Sequence, residues 1–204
     1  MATVFLRKLT VDEYLDREQA AEAAGGRPCE FVNGKVREMP GADWRHNVLV
    51  GNLSGAIGQR LRGKSFAVCG SQMRIRAGSA GPFYYPDVTV SPVPPRIAQE
   101  RGQSLLDPVV IVEVTSPSAE RIDRREKLAS YGLIESVTDY VIVAQDVARV
   151  DHFSREGTRD WQAMVEERLA GKLSFSSLGV ELPLAEIYDH VFPEDDPPQD
   201  TKEV

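Results

Sequence analysis

The sequence predicts a mixed α/β fold in which a central β-sheet is flanked by helices. A crossover unit is the first observation: apolar strands at 109–115 and 139–144 enclose a helix at about 118–134. Such a unit joins parallel neighbouring strands through a right-handed connection. The second observation is Asn33-Gly34 between two strand-like runs, a strong hairpin signal because both turn positions need positive φ. The third is a capping box that starts a helix at Thr10.

The N-terminal half is assigned in order from turn signals and periodicity. The predicted elements are a helix from Thr10 to Gly25-Gly26, hairpin strands at 29–32 and 35–39, a helix at 43–61, and strands at 65–69, 72–77 and 87–91. The helix at 43–61 carries apolar residues at three- and four-residue spacing. A proline-rich stretch at 91–95 closes the strand at 87–91.

The C-terminal half begins with the strand at 109–115, which is apolar on both faces, as a central strand requires. Ser118 is a predicted N-cap for the crossover helix, since Pro117 bars earlier helical residues. The remaining predictions are a hairpin at 141–153, strands at 160–168, 172–175 and 179–182 that extend the sheet, and a short helix at 183–191.

The length and the charge distribution indicate how the chain is divided into a domain and a tail. The 204 residues are consistent with one domain at 1–192 and a disordered acidic tail at 193–204. The tail holds five acids and one lysine, so −4 of the net charge of −7 lies there and −3 in the rest. An acidic chain gains little long-range attraction to polyphosphate. A tight nonspecific DNA binder is therefore disfavoured, and nucleic-acid contact would need a local basic surface or a bound metal.

The expected cellular location follows from targeting signals and cysteine patterns that the sequence does not show. It contains no apolar run of about 18 residues, and its first residues lack the apolar core and cleavage site of a secretory signal. Cys29 and Cys69 are too few for a disulfide framework and lie outside any zinc-type spacing. We expect a cytoplasmic protein with reduced thiols and no membrane partner.

Asp87 and Glu113 are the acids most suggestive of chemistry. Glu113 interrupts an apolar run, where a carboxylate is costly to bury without compensation. Strand alternation places Glu113 and Thr115 on one face of their strand. If the strand of Asp87 is a neighbour, the two carboxylates meet on one side of the sheet. Such a pair repels unless one acid is protonated or a divalent cation lies between them, and oxygen ligands favour magnesium or manganese.

The crossover helix adds a lysine to this pair. Asp123, Lys127 and Tyr131 follow one another at four-residue spacing and share a face. Lys127 can then reach the end of the strand at Thr115. Acids, a cation and a lysine suit phosphodiester hydrolysis. The cation polarises the phosphate and lowers the pKa of its water, while the lysine positions or deprotonates that water and stabilises developing charge.

Each of these residues also has a purely structural interpretation. In that interpretation Asp87 is a turn or strand-start aspartate bound to backbone amides, and Glu113 has a buried partner such as Arg74 or Arg76 from a neighbouring strand. Lys127 forms an exposed pair with Asp123 or Tyr131, and Tyr131 packs beside it.

Further candidates lie upstream. The hairpin and the second helix must pack against the sheet, so Glu30 and His46 are candidates to contact substrate or to support the metal ligands. Arg74 and Arg76 either bind phosphate or form salt bridges.

At these residues the chain resembles the Uma family of restriction-endonuclease-like proteins, within the PD-(D/E)xK nuclease superfamily. The segments that carry the resemblance are Pro86-Asp87, Glu113-Val114-Thr115-Ser116-Pro117-Ser118, Asp123-Arg124-Arg125-Glu126-Lys127 with Tyr131, Asp139-Tyr140-Val141-Ile142-Val143, Cys29 to Val36, Met39-Pro40 with His46, and Leu184 to Tyr188. They cover roughly residues 10–190, and their order and spacing together are specific.

The resemblance implies a restriction-endonuclease-like fold with Asp87 and Glu113 as metal ligands for Mg²⁺ or Mn²⁺. It also implies a nucleic-acid substrate, with DNA favoured over RNA, and a homodimer or higher homo-oligomer. One departure from the superfamily pattern concerns Thr115, which stands where lysine is expected two residues after the glutamate. In this family the lysine is expected on the following helix, at Lys127.

Three hypotheses follow. The first is a metal-dependent endonuclease that cuts DNA through Asp87, Glu113 and Lys127. The second is a binding or assembly module that keeps the fold without the chemistry, which the acidic surface and Thr115 favour. The third is a metal-dependent hydrolase of another phosphoester. Fold resemblance does not choose among them, because function belongs to sites.

Overall fold

A computed structural model describes residues 8–39, 41–79, 81–117, 123–157 and 160–192. The helices are α1 (Val11–Ala23), α2 (Trp44–Arg60), α3 (Leu128–Tyr131), which continues a π-helical turn at Asp123–Lys127, and α4 (Leu184–Ile187). The strands are β1 (Cys29–Val32), β2 (Lys35–Glu38), β3 (Phe66–Gly70), β4 (Ile75–Arg76), β5 (Phe83–Tyr84), β6 (Val88–Pro92), β7 (Ile97–Gln99), β8 (Gln103–Leu105), β9 (Val110–Thr115), β10 (Asp139–Ala144), β11 (Val150–Ser154), β12 (Gln162–Glu166), β13 (Lys172–Phe175) and β14 (Val180–Pro183).

The central sheet has six strands in the order β12-β11-β10-β9-β6-β3. Strands β9 and β10 are parallel, and the other neighbours are antiparallel. This confirms the predicted mixed sheet and the parallel pair on either side of the crossover. The hairpin predicted at 141–153 is also confirmed, with Val143 paired to Val150.

The two faces of this sheet carry different layers. On one face, valines of β6, β9 and β10 pack against α2, α4 and the β13–β14 hairpin. On the other face, Ile111 and Ile142 pack with Tyr131 of α3 and Tyr84 of β5. The crossover segment therefore covers the face that Glu113 shares with Ile111.

A second six-stranded sheet, in the order β2-β1-β5-β4-β8-β7, lies beside the first. The capping box at Thr10 starts α1, as the sequence predicts. This helix packs its Tyr14 ring on Phe31 of β1, with centroids 4.7 Å apart. The strand predicted at 72–77 is reduced to the two residues of β4 within this sheet. Strands β5, β7 and β8 were not predicted, because segments of two or three residues are too short to show a period.

One prediction about the sheet is wrong. The strands expected at 172–175 and 179–182 do not extend the central sheet but pair with each other as β13 and β14. Their inward residues pack on the α2 side of the core: Leu173, Phe175, Val180 and Leu182. Burying these side chains against a sheet face favours a separate hairpin over edge pairing.

The crossover helix is the element that departs most from its predicted form. Its described part starts as a π-helical turn and ends at Tyr131, three residues short of the predicted end. The predicted N-cap Ser118 lies outside the described residues, as does the tail at 193–204. None of the helices in the described ranges combines the length and the apolar character needed to span a bilayer.

The Asn33-Gly34 turn offers a stability test. Gly34 has φ +81°, and a Cβ there would lie 2.6 Å from Lys8 Cβ. We expect Gly34→Ala to lower the free energy of unfolding by about 1–2 kcal/mol or more, from the left-handed conformation alone. Gly55→Ala is the matched control, because the site in α2 has no atom within 4 Å of the added methyl group. That variant should instead gain about 0.5–1 kcal/mol from helix propensity. Urea denaturation measures both, and equal effects would contradict the prediction.

Candidate active site

Asp87 and Glu113 meet on neighbouring strands. Asp87 directly precedes β6, whose Val88 pairs with Val112 of β9, so the same register places Asp87 beside Glu113. Both are buried, with relative exposures of 7% and 5%. The Asp87 Oδ2 atom accepts a hydrogen bond from the Val114 amide at 2.8 Å. The structure thus brings together the acids that strand alternation placed on one face.

Glu113 is held by two residues of the crossover segment. Its Oε1 atom accepts hydrogen bonds from Lys127 Nζ at 2.8 Å and from the Tyr131 hydroxyl at 2.6 Å. Burial raises the pKa of Tyr131 well above its ordinary value, and the nearby Glu113 carboxylate raises it further. Tyr131 is therefore a neutral donor that orients Glu113 as well as a packing residue.

Glu30 of β1 joins the same cluster from the second sheet. Its Oε1 lies 3.0 Å from Lys127 Nζ, and its Oε2 lies 3.5 Å from Arg37 Nη1. Within the described residues, this buried Oε1 atom accepts no hydrogen bond of good geometry. Lys127 thus stands between two carboxyl groups, and one carboxyl oxygen keeps lone pairs for a further donor or cation.

His46 approaches Asp87 from the N-terminus of α2. Asp43 caps this helix by accepting a hydrogen bond from the His46 amide at 2.9 Å. The His46 Nε2 atom lies 3.1 Å from Asp87 Oδ1. Burial lowers the pKa of His46, but the hydrogen bond and the charge of Asp87 outweigh it, so the pKa is raised overall. His46 thus supports Asp87 as a charged partner at pH values below its raised pKa.

Thr115 and Lys127 are the two residues that the resemblance connects with the lysine of the superfamily pattern. Thr115 is buried near the end of β9, where its hydroxyl donates to the Ser116 carbonyl at 3.2 Å. The amine that contacts Glu113 comes from the π-helical turn, a type of helix defect that is frequent at functional sites. The alternative of an exposed Lys127 is wrong, because its side chain is only 9% exposed.

Arg74 and Arg76 have other partners. Arg76 forms an ion pair with Glu100 at 2.6 Å, and Arg74 donates to the Ser104 hydroxyl at 2.8 Å. The interpretation in which they neutralise Glu113 is therefore wrong, since Lys127 fills that role. For Arg76 the salt-bridge alternative is confirmed.

Sequence reasoning missed a pair of arginines next to this cluster. Arg124, three residues before Lys127, and Arg149 both donate to the carboxylate of Asp151 on β11. The available signal was an acid inside the predicted hairpin strand, since a buried aspartate requires a cationic or hydrogen-bonding partner.

The donor set fits a hard cation. In the ranges that the structure describes, no three histidine, cysteine or acidic side chains are already arranged as a metal site. Asp87 and Glu113 nevertheless supply carboxylate oxygens at neighbouring positions of the sheet. The Glu30 Oε1 atom lies 3.0 Å from Lys127 Nζ and accepts no hydrogen bond of good geometry from the described residues. Magnesium is commonly held by one or two carboxylates, with water and substrate phosphate completing its shell. The residues present are thus compatible with such an ion.

The sheet order and the crossover define a protein of restriction-endonuclease-like fold. The chain belongs to the Uma2 family, described as "Putative restriction endonuclease", whose profile matches residues 11–185. Its fold is similar to the crystal structure of a "putative nuclease belonging to DUF820" from Anabaena variabilis. That match has a TM-score of 0.69 at 14% identity and covers 90% of this chain and 99% of the other.

Two curated relatives come from Synechocystis sp. The uncharacterized protein sll1609 is 30% identical over 161 residues, which are 79% of this chain and 89% of the relative. The uncharacterized protein slr1290 is 26% identical over 181 residues, covering 89% of this chain and 92% of the relative. The likeness therefore extends over most of each chain.

Removing the buried amine should be costly. We expect Lys127→Met to lower the free energy of unfolding by about 3–5 kcal/mol, because it leaves buried carboxyl groups without their cation. In a Glu113→Gln background the same change should cost clearly less. Lys172→Met is the matched control, because Lys172 pairs with Glu181 at the same 2.8 Å on the exposed surface and should cost little. Urea unfolding of the two single variants and the double variant completes a double-mutant cycle for Lys127 and Glu113. Equal losses of stability for Lys127→Met and Lys172→Met would refute Lys127 as the buried cation that compensates the carboxyl groups.

The His46–Asp87 pair predicts a pH dependence of stability. Because the folded-state pKa of His46 is raised, its contribution is complete below the ordinary value of about 6.5 and is lost as pH rises through the folded value. The stability difference between wild type and His46→Gln should therefore shrink from pH 5 to pH 9 in EDTA. The same comparison in an Asp87→Asn background should be much flatter. A difference that grows with pH would contradict the assignment.

Proposed function

We propose that this protein is a divalent-metal-dependent endonuclease that hydrolyses phosphodiester bonds of DNA. The observation that supports this most is the contact between Lys127 Nζ and Glu113 Oε1 at 2.8 Å, on the strand beside Asp87. It supplies an amine at the acid pair although Thr115 occupies the usual lysine position. The family description supports DNA as the substrate class.

Asp87 and Glu113 would hold Mg²⁺ or Mn²⁺, which when bound polarises a phosphate and lowers the pKa of its water. Each ligand is oriented by the protein. His46 and the Val114 amide contact the two oxygens of Asp87, while Tyr131 and Lys127 contact Glu113. Such support matters because ligands fixed by neighbouring groups need little reorganisation during the reaction.

Lys127 acts as a charged donor in this proposal. Its amine lies 2.8 Å from Glu113 Oε1 and 3.0 Å from Glu30 Oε1, so it faces two carboxyl groups. It is therefore suited to position water and to stabilise negative charge that develops on the phosphate. The Glu30 Oε1 atom, which pairs with Lys127 at 3.0 Å but accepts no hydrogen bond of good geometry within the described ranges, could also accept one from the attacking water.

The proposal includes a homodimer, because one acid pair cuts one strand and a duplex has two. It also includes a cytoplasmic location, which is consistent with Cys29 and Cys69 as free thiols.

Substitution of either acid should abolish cleavage while the fold is kept. Loss of a residue that merely supports a metal ligand costs about 10- to 100-fold. We therefore expect Glu113→Gln and Asp87→Asn to slow cleavage of plasmid DNA in Mg²⁺ or Mn²⁺ by more than about 100-fold. Asp139→Asn is the matched control, since Asp139 is also buried and bound to a histidine, His152, at 2.7 Å. Asp139 begins β10 and pairs with Val110 at the start of β9, so it lies at the opposite end of these strands from Thr115. The Asp139→Asn variant should therefore cleave normally.

Calorimetric titration of Mn²⁺ distinguishes the metal-dependent enzyme from the non-catalytic binding module, and it requires no assumption about the substrate. Binding to the wild type that disappears in Asp87→Asn supports the metal site. Cleavage by Glu113→Gln at the wild-type rate would overturn the catalytic assignment. Absence of both metal affinity and cleavage would favour the module that keeps only the fold. Parallel assays on single-stranded DNA, RNA and simple phosphate esters test the remaining phosphoester alternative.

A further inference from the structure

We propose that Arg124 and Arg149 form a phosphate-binding subsite beside the acid pair, which holds a phosphodiester group that neighbours the scissile one. This inference rests on the proposed nuclease function for the identity of the phosphate. The binding chemistry itself follows from the arrangement of two guanidinium groups on one buried carboxylate.

Asp151 is the anchor of the subsite. Arg124 donates from Nη1 to Oδ1 at 2.8 Å and from Nη2 to Oδ2 at 2.5 Å. Arg149 donates from Nε to Oδ2 and from Nη2 to Oδ1, both at 3.1 Å. Burial raises the pKa of Asp151, but these arginines outweigh it and lower the pKa overall. The carboxylate therefore stays ionised and fixes both guanidinium groups.

The strand register places Asp151 in the same row of paired residues across the sheet as Glu113. Glu113 of β9 pairs with Ile142 of β10, and Ile142 pairs with Asp151 of β11. Directly paired residues point to the same face of a sheet. Two strand spacings separate Asp151 from Glu113, which is about 10 Å between backbones. A nucleic-acid strand that crosses the sheet at Glu113 would thus bring a nearby phosphate to the arginines.

A cavity opens at this place. It has a volume of about 270 Å³ and includes Thr115, Ser116, Arg124, Ile142, Arg149 and Asp151 in its lining. The cavity lies at the carboxyl ends of the parallel strands β9 and β10, where ligands of open α/β sheets commonly bind. It therefore connects the end of the acid-bearing strand to both guanidinium groups.

The remaining donors of Arg149 suit an anion. Arg149 has five N–H donors, of which Nε and one on Nη2 contact Asp151 while one on Nη1 contacts Glu167 at 2.8 Å. Glu167 is exposed, so a phosphate can take its place. The planar fork of arginine matches phosphate oxygens in pairs.

The test uses Arg149→Gln and Arg124→Gln in a Glu113→Gln background, with binding of a fluorescent DNA duplex followed by anisotropy at several salt concentrations. We expect each change to weaken binding by about 10-fold or more and to reduce the salt slope by about 1. Arg60→Gln is the matched control, because Arg60 also forms two hydrogen bonds to one carboxylate, that of Glu186, on the other side of the sheet. Its variant should bind as the background does.

A chemical-protection experiment tests the subsite even if an arginine variant does not fold, because it leaves Arg124 and Arg149 in place. In the Glu113→Gln protein, DNA should slow modification of Arg149 by phenylglyoxal, while Arg60 should react at the same rate with and without DNA. Equal protection of the two arginines, or protection of neither, would overturn the subsite. In the cleaving protein, Arg149→Gln should raise KM with kcat within about threefold, as expected when a binding contact is lost.

The outcomes distinguish this inference from the proposed function. If the wild type cleaves DNA and Arg149→Gln keeps its KM and salt slope, only the subsite is wrong. If Arg149→Gln weakens binding while Glu113→Gln still cleaves, the catalytic assignment is wrong and the subsite stands. A wild-type protein that neither binds nor cleaves DNA refutes both.

Discussion

The Lys127 ammonium between Glu113 and Glu30 is the interaction on which the rest of the site depends. Glu113 belongs to the central sheet, Glu30 to the second sheet and Lys127 to the crossover that covers both. Burying two carboxyl groups at this junction is unfavourable unless a cation joins them. The same atom therefore holds three layers in place and presents a positive charge at the acid pair. A second link reinforces this junction, because Arg37 of β2 forms two hydrogen bonds with Glu126 of the π-helical turn.

The π-helical turn explains how one short segment serves two places on the sheet. Lys127 reaches Glu113 on β9, while Arg124 reaches Asp151 two strands away on β11. Both contacts are made to side chains of the central sheet, so both cations face this sheet. The ring of Tyr131 packs edge-on between Tyr84 and Tyr140, with centroids 5.3 and 5.0 Å away. This aromatic packing fixes the C-terminal end of α3, the short helix that follows the turn.

Local sequence signals predict the features that depend on period and turn chemistry. The alternation of β9 placed Glu113 on its observed face, the Asn33-Gly34 turn predicted the β1–β2 hairpin, and the crossover predicted parallel strands. The second sheet was beyond such signals, since β5 and β8 are short and depend on long-range pairing. The role of Glu30 was only a possibility from sequence, because its approach to Lys127 follows from how two sheets meet. Asp151 and Arg149 were missed for the same reason: their position beside Glu113 depends on register across three strands.

An amine carried by the crossover is brought to the acid pair in a different way from an amine carried by the strand itself. A lysine at position 115 would lie about 7 Å along the strand from Glu113, from the rise per residue alone, and would be present whenever the strand forms. Lys127 instead reaches Glu113 only when the crossover is docked on the sheet, which also buries Tyr131. The acid pair thus acquires its amine through tertiary packing. Weakening that packing, for example at the Tyr84–Tyr131 contact, would disturb the position of the amine before it disturbs the strands that carry the acids.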